Sequence, residues 1–295
     1  ADRFISSQLL DDSWIKEHLP VRPVSGHKGT FGHALIIGGS KNYPGAASLA
    51  AKSAMRSGPG LVTLAFPRTI QPLVTEKLIE AIQIPLDIDS DGELGSESTP
   101  PLRPALNKYS SIAVGPGMGF SIPSSRFMEE LFFKGAYQGR TLVIDADGLN
   151  NLSYIDNWHD RARFSLVLTP HTGEMARLTN LPVDEIKDNR IEIARTWSKI
   201  WKAIVVLKGA YTIVATPRGK VFVNPFANPL LSTGGTGDVL TGIISGLIAQ
   251  GLSGENASCC GVYIHGLAAE KIGKNIGDRG LIATDIVEDI PNTIK

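Results

Sequence analysis

Short apolar runs rich in Val, Ile and Leu alternate with helical patterns from residue 34 to residue 207, and that alternation constrains the chain to βα units feeding a mostly parallel sheet. Strands are predicted at 34–37, 61–66, 111–114, 141–144, 166–168 and 203–207. These runs lack a clean two-residue alternation, as expected of strands covered on both faces. Beyond 207 the pattern changes: YTIVAT and KVFVN flank the turn segment PRGK, which predicts an antiparallel hairpin closing one edge of the sheet. Helices are predicted over 237–250, 255–275 and from 284 onward.

The expected architecture is therefore a single α/β domain over residues 1–295, with residues 1–25 as a helical extension. An amphipathic candidate at 9–18 packs either on the domain itself or on a neighbouring subunit. The acidic, Ser/Gly/Pro-rich stretch DIDSDGELGSESTPP (87–101) reads as an exposed loop. With 42% hydrophobic and 20% charged residues the chain can cover a sheet on both faces. Lys+Arg and Asp+Glu both number 29, so no net field draws nucleic acid or an acidic membrane, and any anion site must be local. There is no apolar run of ~18 residues and no basic-then-apolar start, and the adjacent Cys259 and Cys260 read as buried thiols of a reducing compartment. A cytoplasmic protein with neither nucleic-acid nor membrane partners is expected.

The segment NPLLSTGGTGDVLTGIISGLIAQG (228–251) carries the most chemistry. Gly234, Gly235 and Gly237, with Thr233 and Thr236 among them, precede a strongly apolar helix, so its first amides open on backbone almost free of side chains. Those donors and the positive helix end suit a phosphoryl group. Asp238, in the first turn, is repelled by a bound phosphate unless it has a task, and the evident task is taking a proton from a hydroxyl that attacks the phosphate. A simple capping role for Asp238 is the competing reading. The segment is neither a P-loop, since no Lys-Ser/Thr follows, nor a dinucleotide fingerprint, since no strand immediately precedes it.

Other segments sit where ligands collect, at strand carboxyl ends. Gly38-Gly39 ends a strand, and Pro44 then opens a helix whose Gly45, Ala46 and Ala47 allow either close ligand approach or tight packing. Gly115-Pro116-Gly117-Met118-Gly119 follows SIAV, and Asp145 and Asp147 in VIDADGLN follow another strand, to orient substrate or to cap a helix. His171 and Glu174 in LTPHTGEMARL share one face of a helix start, and Lys208 ends AIVVL, where it can act as a point charge for phosphate. Lys41 and Asn42 lie in the first ligand loop, and His265, among Val262, Tyr263, Ile264 and Leu267, reads as a core or interface histidine.

GGTGDVLTG resembles the anion-hole motif of the ribokinase-like superfamily, and five further segments narrow the resemblance to its NAD(P)H-hydrate dehydratase branch. They are GHKGTFGHALIIGGSKNYPGAASLAAKSAMRSGPGLVTLA, AVGPGMG, VIDADGLN, LTPHTGEMARL and VVLKGAYTIV, in the expected order from about residue 26 to residue 290. The resemblance implies a three-layer α/β/α fold with Asp238 catalytic and an anion hole at Gly234, Gly235, Thr236 and Gly237. It further implies that Ala46 or Ala47, Gly117, His171 and Asp238 contact the substrate, and that Lys208, Gly209, Ala210, Tyr211, Thr212 and Gly237 hold the nucleotide. Sugar kinases of the superfamily carry Asn-x-x-Glu where this chain has His171-x-x-Glu174, a departure shared with the dehydratases; Glu174 is the candidate for holding Mg²⁺ through water. The implied substrates are hydrated NADH and NADPH with ADP or ATP as co-substrate, ADP being expected of a stand-alone bacterial type, in a homo-oligomer (tetramer or dimer). A vitamin-precursor or sugar-like kinase of the same superfamily and a non-catalytic adenine-nucleotide sensor are the alternatives; a carboxylate beside the phosphate argues against the sensor.

Overall fold

The computed structural model describes residues 7–134, 137 and 139–294. Among these residues ten strands form one sheet: β1 (Ser7–Leu9), β2 (His33–Ile37), β3 (Leu61–Pro67), β4 (Ile82–Leu86), β5 (Ser111–Val114), β6 (Thr141–Ile144), β7 (Ser165–Leu168), β8 (Ile204–Leu207), β9 (Ile213–Ala215) and β10 (Val221–Val223). Their order is β1-β10-β9-β8-β7-β6-β5-β2-β3-β4. Strands β2 to β8 run parallel, and β9 pairs antiparallel with both β8 and β10. All six predicted parallel strands and the hairpin are present.

Both faces are covered, which is why alternation is absent from the strand sequences. In β2, Ala34 and Ile36 enter one core with the helices Pro44–Ser57, Thr236–Ala249, Gly254–Ile276 and Ala283–Thr293. Leu35 and Ile37 enter the other, with Phe127, Leu131, Leu149, Met175 and Trp201. Cys259 and Cys260 are free and buried in the first core. No helix among the described residues is long and apolar enough to cross a membrane.

The antiparallel hairpin lies at one edge region of the sheet as expected, and a further short strand, β1, pairs in parallel outside β10, Ser7 facing Val221 and Leu9 facing Val223. Two expectations are corrected. The amino-terminal helix is shorter than 9–18: Asp11 caps it by accepting from Trp14 N–H, and it spans Asp12–His18. It packs on its own domain, burying Ile15 and setting Trp14 5.6 Å from Phe222. The 87–101 stretch is not a plain exposed loop, since Leu94, Ser98 and Thr99 are buried and Ser98 Oγ bonds back to the Asp87 carbonyl.

The helix Thr236–Ala249 lies almost in contact with the Pro44–Ser57 backbone. An added β-carbon at Gly242 would stand 2.1 Å from the Ala50 carbonyl oxygen and 1.9 Å from Ser53 Oγ; at Gly246 it would stand 2.0 Å from Ser57 Oγ. Only glycine permits this approach, which holds the start of one helix beside the other. Gly242→Ala is expected to destabilise the fold by about 1–3 kcal/mol, the usual cost of overpacking, and denaturant unfolding checks it; unchanged stability would mean that the helices separate without penalty.

Candidate active site

The loops after β2, β5, β6, β7 and β8 meet the amino terminus of the helix Thr236–Ala249 at one rim of the sheet. Gly235 is its N-cap residue, at φ 89°, and no side chain caps it. Thr236 Oγ1 folds back onto the carbonyls of Leu231 and Thr233, both at 2.8 Å, and its amide reaches the Thr233 carbonyl at 3.4 Å. That fixes the glycine turn and leaves the first-turn amides of Gly237 and Asp238 at the open helix end. Gly234 is exposed and Gly235 lies against Leu49 of the facing helix. The four residues expected to form an anion hole are thus consecutive at an uncapped helix terminus.

Beneath Gly237 lies the Lys208 ammonium, 2.7 Å from Asp145 Oδ1 and 3.6 Å from Glu174 Oε2. Asp145 is 1% exposed and its other oxygen accepts from Thr241 Oγ1 at 2.6 Å. Burial pulls the ammonium pKa down, but Asp145, Glu174 and Asp238 outweigh it and hold Lys208 above the usual lysine value. An added β-carbon at Gly237 would come to 3.5 Å from the Lys208 nitrogen and 3.9 Å from Asp145 Oδ2, ordinary contact distances that put the ion pair directly under the opening. Lys208, expected as a point charge for phosphate, is ion-paired with buried carboxylates.

Asp238 is half-buried over this pair. Burial, reinforced by the carboxylates of Asp145, Asp147 and Glu174 and opposed by Lys208, pushes its carboxyl up to about 7. A carboxylate of that basicity exchanges protons near neutral pH, as a general base must.

His171 and Glu174 form a reciprocal cap on the helix Thr172–Thr179. The imidazole Nδ1 accepts from the amides of Gly173 (2.9 Å) and Glu174 (3.2 Å), and Glu174 Oε2 accepts from the His171 amide at 2.7 Å. Nδ1 therefore bears a lone pair and the neutral ring carries its proton on Nε2; burial and then Lys208 lower the histidine pKa, which agrees. Burial raises the Glu174 carboxyl, with Lys208 opposing. Among the described residues no three His, Cys, Asp or Glu side chains converge to hold a metal ion.

On the opposite side, an added β-carbon at Gly117 would stand 2.8 Å from Ala46 Cβ, and Gly39 N–H donates to the Pro116 carbonyl at 2.8 Å. Ala46 and Gly117 are thus brought together. Ala47 is fully buried against Gly38 and Gly39, so the rim side chain is Ala46. Asp147 accepts from the Gly119 amide at 3.1 Å and braces the glycine loop, whereas Asp145 serves Lys208. Between them Ala146 sits at φ 49°, ψ −123°, a costly conformation for a residue with a β-carbon that turns both aspartates to the rim. Lys41 and Asn42 are exposed.

A pocket of about 660 Å³ adjoins Gly237, lined by His171, Lys208, Gly209, Ala210, Thr212 and Thr236 on one side and by Phe226, Leu240, Val262 and His265 on the other. Tyr211, at φ 54° and 54% exposed, lines a separate hollow of about 390 Å³ beside Arg190. Arg190 escaped the sequence reading. Its guanidinium donates to the carbonyls of Leu207 (3.1 Å), Lys208 (3.4 Å) and Ala210, strapping the loop from behind. Nothing in the motif pattern marks it, because its partners are backbone atoms. His265, read as a core or interface histidine, is buried yet faces the pocket, and its Nε2 has no partner.

The family model described as NAD(P)H-hydrate dehydratase matches residues 34–292. The ADP-dependent (S)-NAD(P)H-hydrate dehydratase of Bacillus subtilis is 32% identical over 286 residues, covering 96% of this chain and 97% of the relative. The bifunctional NAD(P)H-hydrate repair enzyme of Moorella thermoacetica is 38% identical over 295 residues, but this chain spans only 55% of that relative's length. Among solved structures, the B. subtilis ADP/ATP-dependent NAD(P)H-hydrate dehydratase co-crystallised with ATP/Mg²⁺ superposes with a TM-score of 0.82 at 31% identity, covering 97% of each chain. A protein of the ribokinase-like superfamily from Enterococcus faecalis superposes with a TM-score of 0.84 at 25% identity. The chain belongs to the NAD(P)H-hydrate dehydratase family and has its ribokinase-like fold.

Proposed function

We propose that this chain dehydrates the hydrated forms of NADH and NADPH at the expense of a nucleotide, ADP in preference to ATP. The observation that carries the reading is Asp238: a carboxyl raised to about 7 at an uncapped, glycine-lined helix terminus, where a phosphoryl group and a substrate hydroxyl would meet.

Hydroxide is a poor leaving group, so the hydroxyl on C6 of the hydrated ring is first phosphorylated. Asp238 takes its proton, the oxygen attacks the terminal phosphoryl group, and AMP departs when ADP is the donor. The first-turn amides stabilise the charge that develops on the phosphoryl oxygens. The ring-nitrogen lone pair then expels phosphate as the C6–O bond breaks, and loss of a C5 proton restores the dihydronicotinamide. Ala46 and Gly117 offer a side-chain-poor wall for the flat ring, and His171, neutral with its proton on Nε2, offers it a hydrogen-bond donor.

With no protein cage for a metal among the described residues, the site fits an ion carried on the nucleotide phosphates and waters. Mg²⁺ would supply neutralisation of the phosphate charge, and Glu174, the carboxylate at the loop after β7, would hold one of its waters. We further propose that the chain works as a homo-oligomer, tetramer or dimer, as the family resemblance implies, and in the cytoplasm, in keeping with its two free, buried cysteines.

Incubation with hydrated NADH, Mg²⁺ and either ADP or ATP should restore the absorbance of the reduced nicotinamide, faster with ADP. A stable phosphorylated product from another small molecule, with no recovery from either nucleotide, would establish the kinase instead, and nucleotide binding without any turnover would establish a sensor.

Asp238→Asn is expected to keep nucleotide affinity and to lose ~10²–10⁴ in turnover, while the parent's kcat/KM rises with pH through about 7. Because the folded state holds the Asp238 proton more tightly than the unfolded one, its stabilising contribution is complete below the ordinary value of 3.8 and is lost as pH climbs through about 7. The Asn variant should therefore melt higher than the parent at pH 8, the gap closing toward pH 4. Thermal melts across that range test this, and a variant that melts lower at pH 8 would place Asp238 in a structural role.

A further inference from the structure

Four Phe, Tyr or Trp side chains are exposed among the described residues, and three of them, Tyr43, Phe120 and Tyr154, stand around the glycine loop 115–119. Exposed apolar side chains scattered singly are ordinary, whereas a group of them on the rim of a site marks a contact surface. An added β-carbon at Gly117 would meet Tyr43 Cβ at 2.8 Å, and the Phe120 and Tyr154 rings lie 5.1 Å apart. Phe120 is three residues beyond Gly117, so its backbone is at most about 10 Å from the wall proposed for the nicotinamide ring. Over the intervening Gly119, at φ 88°, an added β-carbon would meet only Glu93 Oε1, at 4.0 Å, beyond its chain neighbours, and the path between the two places is open.

The exposed Phe120 ring is carried on fixed backbone. Asn151, fully buried, accepts from the Ser121 amide at 3.1 Å and donates to the Gly119 carbonyl at 2.7 Å, so one side chain pins the residues on either side of Phe120. Arg177, exposed on the helix Thr172–Thr179, sets its guanidinium 5.9 Å from the Phe120 ring. It donates to the uncharged Asn150 Oδ1, and Asn150 donates in turn to Asp147 Oδ1 at 3.3 Å. After burial and Lys208, Arg177 also lowers the His171 pKa, so its charge is felt on the side of the site proposed for substrate. Two rings and a cation bonded to an uncharged partner suit a flat heterocycle carried on phosphates.

We propose that Phe120, braced by Tyr154, stacks the adenine of the dinucleotide substrate, with Arg177 meeting the diphosphate that joins its two halves. The inference rests on the dehydratase reading and adds to it a place for the second half of the substrate. A nicotinamide ring held at Ala46 and Gly117 sends its adenosine outward over Gly119, while the pocket beside Gly237 takes the co-substrate. A mononucleotide, which ends at its first phosphate, has no base to set on this shelf.

The test is steady-state kinetics of the whole chain with Mg²⁺ and ADP, on hydrated NADH and on the hydrated form of reduced nicotinamide mononucleotide. Parent, Phe120→Ala and Arg177→Gln are compared, with ADP titrations, thermal melts and light scattering alongside; both side chains are exposed, so the variants should melt with the parent. The parent should favour hydrated NADH by about tenfold or more in kcat/KM, the scale of one base-stacking contact. Phe120→Ala should bring the two substrates within about threefold by raising the KM of hydrated NADH, with kcat and ADP affinity retained. Arg177→Gln should raise that KM as well. A parent that handles the two substrates equally overturns the shelf. So does a Phe120→Ala variant that keeps the parental preference, that weakens ADP instead, or that changes oligomeric state with the preference intact, which would assign the rings to a second copy. In each of those cases the dehydratase reading stands, whereas a parent that restores neither substrate removes both.

Discussion

The ion pair between Lys208 and Asp145 is the contact around which the site is organised. It ties the end of β8 to the end of β6, and through Thr241 it reaches the second turn of the helix Thr236–Ala249. An ammonium buried beside three carboxylates is stable only because those carboxylates exceed its desolvation penalty. Burial, and after it the negative charge of the neighbouring carboxylates, then raises the basicity of Asp238. The same cluster thus holds three elements together and keeps a proton acceptor near neutrality.

The close helix crossing serves the same arrangement from the other side. Gly242 and Gly246 let the helix Thr236–Ala249 settle onto Pro44–Ser57, and Gly235 rests on Leu49, one turn beyond Ala46. The backbones proposed to face substrate and phosphate are therefore positioned by one packed interface. Side-chain-poor surfaces recur on the rim, and two of them have a steric cause: Gly38 against Pro116 and Gly117 against Ala46.

Much of this was legible in the sequence. The six parallel strands showed as runs of Val, Ile and Leu because their burial on both faces leaves no polar positions, and the glycine-Asp segment declared an open helix terminus through its own composition. What escaped was non-local. β1 and β4 are edge strands whose partners, not their sequences, define them, as Pro85 within β4 illustrates. His265 looks like an ordinary core residue until the helix Gly254–Ile276 brings it to the pocket. Lys208 was correctly placed at the rim, yet its pairing with Asp145 spans 63 residues and has no local signature. The left-handed backbone of Tyr211, which sends its ring to a separate hollow, has no local signature either.

The Arg190 strap has a consequence for the energetics of ligand capture. Gly209 at φ 141° and Tyr211 at φ 54° hold a shape that a free loop would seldom visit, and three carbonyls gripped by one planar guanidinium keep it there before anything arrives. A molecule docking on that backbone meets a preorganised surface, so little of its affinity is consumed in freezing the chain.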